Sequence, residues 1–149
     1  MKISRHAAII IGLLLCLAVF GCQTYTSGLV KSGARGDEAV VLSNLRAIMV
    51  AQSSYNLSTS SFGTFEQLTD GGYLNAGFKT EKPVLSDYVY TMTVAAKNPG
   101  SSEASYSCNA DPQRTGDRAG RHFYIDSASS EIHVNATQPA SAADETIKP

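Results

Sequence analysis

Ser, His and Asp, the residue types of acyl-transfer chemistry, all occur in this chain of 149 residues, and their spacing decides whether they can act together. His122 and Asp126 share the stretch "HFYID", yet no nucleophile elbow and no Ser at triad spacing accompanies them, so no catalytic residue is assigned. His122 and His133, facing solvent on neighbouring strands, would offer two metal ligands. A third is missing at helpful spacing, so no metal is assigned either. Cys108 in "SYSCNA" reads as a small buried hydrophobe, because no His or Asn arrangement supports a nucleophile. "TDGGYL" is a turn and not a phosphate loop, so no cofactor is expected. The seven tyrosines, among them Tyr88, Tyr90 and Tyr106, read as sheet packing, with an outward Tyr124 available to an interface.

The one residue with a chemistry of its own is Cys22. Lys2 and Arg5 begin the chain, and Ala7 to Phe20 then runs without a charge for 14 residues. That length falls within the ~7–15 of an export-leader core and short of the ~20 that a membrane-spanning helix needs. The following "VFGC" at positions 19–22 resembles a bacterial lipobox, although Phe20 stands where that pattern prefers a small residue. The resemblance implies thioether lipidation of Cys22, cleavage before it and acylation of the new amine; plain secretion or a retained leader are the alternatives. Two or three acyl chains would hold the protein to a membrane stably. Gln23 lacks the acidic character that retains enterobacterial lipoproteins at the inner membrane, which favours the outer one.

Cysteine usage and charge narrow the class. Cys16 leaves with the leader and Cys22 carries lipid, so Cys108 has no partner for a disulfide and the domain must stand on its core. Loss of Lys2 and Arg5 tips a chain of 12 basic and 13 acidic residues further towards acid. Without a basic run there is no electrostatic footprint for nucleic acid. Residues 1–21 read as the leader, 22–36 as a polar tether ("QTYTSGLVKSGA" at its heart), 37–135 as one domain, and 136–149 as a disordered tail.

The elements that position these side chains follow from periodicity. From Asp37, Val41, Leu45, Ile48, Gln52 and Tyr55 recur at spacings of four and three, flanked by Leu42 and Met49. This predicts a helix of about five turns with one buried face. Asn44, Arg46 and Ser53 are expected on the opposite side. Thr64 and Gln67 form a capping-box pattern for a short helical turn, which Gly71-Gly72 ends. Tyr88, Tyr90, Met92 and Val94 share one strand face, and Tyr106, Cys108 and Ala110 share another. "RHFYIDSASSEIHVN" predicts a hairpin pairing Phe123 with Val134, Ile125 with Ile132, Tyr124 with His133 and His122 with Asn135 across a Ser127–Ser130 loop. The expected fold is α+β: one long N-terminal helix on a roughly four-stranded antiparallel sheet.

The order of these elements resembles the globular head of type IV pilins and pseudopilins. "NLRAIMVAQSSY" is similar to the exposed half of the pilin helix and "FGTFEQLTDGGYL" to the segment after it. "YVYTMTV", "YSCNADP" and "GRHFYIDSASSEI" are similar to the sheet; together they cover roughly residues 38 to 134. Here the apolar run precedes Gly21, and no apolar helix with a Glu at its fifth position follows. The piece by which pilins polymerise is therefore lacking, and the chain is not expected to build the body of a pilus. The resemblance implies a non-enzymatic, lipid-anchored protein of the bacterial cell envelope that contacts pilus or type II secretion proteins. The contact surfaces would be the helix side away from the sheet and the loop from Asp111 to Gly120. In some pseudopilins a C-terminal loop binds calcium, and Asp111 and Asp117 flank "PQRTG" here; the favoured reading is a solvated loop. The alternative is a free-standing adhesive or ligand-binding lipoprotein on the same scaffold.

Overall fold

The computed structural model describes residues 36–97, 103–114 and 120–147; the expected leader, Cys22 and all of the expected tether but residue 36 lie outside them. Helix α1 runs over residues 36–59 and, at ~1.5 Å per residue, is about 35 Å long. Val41, Leu45, Ile48 and Gln52 are fully buried along it and Tyr55 is half-buried, so the predicted stripe is the packed one. Asn44 is the exception to the predicted pattern. It borders that stripe and its Nδ2 donates to the Tyr90 hydroxyl at 3.0 Å.

A short helix α2 (Phe65–Asp70) follows, opened by the expected capping box: Gln67 N donates to Thr64 Oγ1 and Thr64 N donates to Gln67 Oε1. Phe65 and Leu68 turn inward from it. A single 3-10 turn (Ala76–Phe78) buries Phe78, whose ring stacks on Phe65 and meets Tyr90 edge-on.

The described residues then form an antiparallel sheet of six strands in sequential order: β1 (Val84–Leu85), β2 (Tyr88–Ala95), β3 (Ser105–Pro112), β4 (His122–Asp126), β5 (His133–Asn135) and β6 (Glu145–Thr146). The fold is α+β with one long helix, as expected, but six strands replace the roughly four predicted. The two additional ones, β1 and β6, are two residues each, too short for apolar alternation to register. β1 and β2 are joined by Ser86-Asp87, both at positive φ (51° and 60°), the mirror-image turn whose twist suits a two-residue hairpin.

Tyr88, Tyr90, Cys108, Ala110, Phe123 and Ile125 face α1 and form the core with its stripe. The β4–β5 register is the predicted one at Phe123–Val134, Tyr124–His133 and His122–Asn135. β5 begins only at His133, so the connection is longer than Ser127–Ser130. Asp126 Oδ1 accepts from the N–H groups of Ala128 and Ser129 and turns the chain early.

Residues 136–147 correct the expectation of a disordered tail. They form a strap that leaves β5, crosses the outer face of the sheet and returns as β6. Asn109 Nδ2 donates to Ala140 O at 2.8 Å, and Ala140 is buried there. Asp144 accepts from Asn135 Nδ2 (2.7 Å), Ser141 N (2.7 Å) and Ser141 Oγ (2.9 Å), and Ile147 N donates to Ile132 O. Large apolar groups are few, Ile147 being the one that packs against the core, and Asn, Ser and Asp supply hydrogen bonds along the rest.

Candidate functional site

Polar residues singled out by type meet on the outer sheet face, through a cross-strand contact that their spacing along the chain does not announce. His122 Nδ1 lies 2.6 Å from Asp111 Oδ1, its cross-strand neighbour. Asp111 therefore belongs to β3 and points along the sheet, which removes it from the loop where a calcium ligand was considered; Asp117 lies outside the described residues. No nucleophile stands beside the His122–Asp111 pair in its hydrogen bonds, and among the described residues no group of three metal-ligating side chains forms.

His133 corrects another expectation. It is buried, not solvent-facing, because the strap covers it and its Nδ1–H donates to Asp144 O at 2.9 Å. Tyr124, beside it, is half-covered, and burial raises its pKa above the ordinary value. Cys108 is fully buried as expected, and burial pushes its thiol far up, out of the range of a working nucleophile.

Among the described residues, two of the recesses join distant segments in a way that no contiguous motif announces. The first lies between the end of α1 and the turn after β4. It encloses about 350 Å³, lined by Met49, Phe62 and Tyr106 below and by Asn56, Asp126 and Ser129 at the rim. The Phe62 and Tyr106 rings sit 4.9 Å apart, and burial lifts the Tyr106 hydroxyl to a pKa of about 12. Asp126 is the only ionisable carboxylate in this lining, and no cation accompanies it.

The second is a hollow of about 450 Å³ against the outer edge of β2, lined by Thr64, Phe65, Glu66, Lys79, Thr80, Glu81 and Met92. It exists because the chain leading into β1 leaves the sheet early. Pro83 O is the last group to pair that edge, accepting from Tyr90 N at 2.9 Å, and residues 79–82 swing away towards α2. Gln52 holds the opposite wall by bridging both backbone groups of Gly63 (2.7 and 2.9 Å) and donating to Met92 Sδ.

Of the two surfaces expected from sequence, the outward face of α1 is fully described and carries exposed apolar side chains: Val40 at 46%, Val50 at 66% and Leu57 at 88% exposure. In the loop, residues 115–119 lie outside the described residues; Arg114 pairs with Asp87 and Arg121 with Glu38 of α1 at its borders. Among the described residues no helix is long and apolar enough to cross a membrane. Comparison with known protein families, characterised proteins and solved structures found no match to this chain.

Proposed function

We propose that this is a non-enzymatic, lipid-anchored protein of the bacterial cell envelope whose α+β head makes contacts with other proteins, as an accessory of type IV pilus or type II secretion machinery. The leader and the cysteine at position 22 support the anchor. The observation that carries the interaction role is the outward face of α1. Val50 and Leu57 are seven residues apart, on one side of the helix, and stand largely in water. Exposed apolar side chains at that spacing suit a partner helix. Anchoring is tested by intact mass: a chain beginning at Cys22 with added acyl mass supports it, and an unmodified start elsewhere ends it. The interaction is tested by gentle crosslinking in native membranes and capture of the protein. Pilin or secretion components are expected with the wild type and lost with Val50→Asp and Leu57→Asp. Recovery of only the protein and lipid sinks the machinery reading.

One observation favours a second reading, a free-standing ligand-binding lipoprotein. The recess over Phe62 and Tyr106 joins an aromatic floor to a hydroxyl- and amide-bearing rim, the composition of a small-molecule site. In that case loss of the pilus apparatus leaves the abundance and location of the protein unchanged.

A further inference from the structure

β2 presents an outer edge that its own fold leaves half paired. The bond from Tyr90 N to Pro83 O fixes the parity of the strand: backbone groups of even-numbered residues point outward and those of odd-numbered residues point to β3. Beyond Tyr90 the two-residue β1 is already past its reach, so Met92 and Val94 each present an N–H and a C=O with no partner among the described residues. Thr91 to Ala95 contains no proline, glycine or charge, the devices by which edges are normally blunted. The opposite edge differs: there Glu145 stands on β6 and the strap crosses behind.

We propose that this edge is a strand-addition site for an extended segment of another protein carrying a lysine or arginine side chain. An added strand alternates its side chains, so the one beside Met92 on the helix-facing side enters the 450 Å³ hollow. The hollow states which side chain fits. Phe65 and Met92 offer apolar surface to a methylene stem, while Glu66 and Glu81 stand at the rim. The cation already present, Lys79, is engaged by Asp70 at 2.8 Å, which raises its pKa, so acid is left in excess. A second copy of this chain fits poorly. Its own "TMTVA" edge would place only uncharged groups against those carboxylates. This inference shares with the proposed function only that the head binds protein; it needs neither the lipid nor the machinery.

The test uses the full chain in detergent micelles and a synthetic peptide, Thr-Val-Thr-Lys-Thr-Val-Thr, with a counterpart carrying Glu in place of Lys. Saturable binding of the Lys peptide is expected, about tenfold or more tighter than the Glu peptide, a gap of ~1.4 kcal/mol. The amides of Met92 and Val94 should gain protection from exchange on binding. Val94→Pro removes an outward N–H while leaving the ladder to β3 intact, and should abolish binding. Glu66→Lys with Glu81→Lys, both at exposed positions that leave folding alone, should reverse the peptide preference. Absence of saturable binding overturns the proposal, as does binding indifferent to both sets of variants. Concentration-dependent dimerisation blocked by Val94→Pro would also overturn it, by assigning the edge to a second copy. None of these failures touches the capture experiment on native membranes.

Discussion

The two faces of the sheet are covered by opposite means. On the inner face, α1 lays an apolar stripe over Tyr90, Cys108, Phe123 and Ile125, and nearly every contact is dispersion and desolvation. On the outer face, the strap is held chiefly by Asn109, His133, Asn135 and Asp144, with Ala140 buried and Ile147 packed against the core at its end. The first cover is non-directional and cooperative with the whole core. The second is a set of separate, directional bonds, each open to competition from water. Burial of area therefore sets global stability, whereas local bonds set which part opens first.

Three substitutions and a titration sharpen that contrast. Phe123→Ala empties the centre of the inner face and should cost about 3–5 kcal/mol in chemical denaturation. Gln52→Leu keeps the volume but strips both backbone groups of Gly63 of their partner. A loss of about 2–4 kcal/mol is expected, and a loss near zero would show that Gly63 finds water instead. Asp144→Ala, on the outer face, should leave the melting transition almost in place while the Ile147 amide exchanges several-fold faster. If the whole domain melts earlier instead, the strap belongs to the core and the contrast fails.

The titration carries the smallest effect. Hydrogen bonds from Asn135 first, then from Ser141, hold the Asp144 carboxyl below its ordinary value of 3.8. A depressed folded pKa stabilises above the unfolded one, so the strap is fully held above about pH 4. It loosens as the pH falls through the lower, folded value. Exchange at Ile147 should accelerate in that window before the helical signal changes. At the alkaline end the sign reverses. Burial pushes the Tyr90 hydroxyl up to about 12, so that contribution is full below pH 10 and is lost between 10 and 12, with the core as a whole.

The same contrast explains what was legible beforehand. Val41, Leu45, Ile48 and Gln52 announce their helix because periodicity is the imprint of burial on one side, and the Phe123–Val134 register follows from alternation for the same reason. The strap leaves no such imprint. "ATQPASAADETIKP" is held by side-chain amides and a carboxylate that look the same in a solvated segment. Neither recess is legible either, since Phe65, Glu81 and Met92 meet only once Pro83 has paired with Tyr90. The His122–Asp111 contact is hidden for the same reason, because cross-strand neighbours stand eleven positions apart in the chain and meet only once β3 and β4 have paired.

The sequential strand order also fixes how the chain becomes a domain while it is being made. Each strand from β2 onward pairs with the one synthesised just before it, so the sheet can grow by hairpins with short loops to close. Helix α1 is the exception. It emerges before the other elements described here, and its stripe from Val41 to Gln52 stays incompletely covered until the last of its sheet partners, Phe123 and Ile125, arrive. For that interval part of an apolar face stands in water, which makes α1 a segment that a holding chaperone should grip.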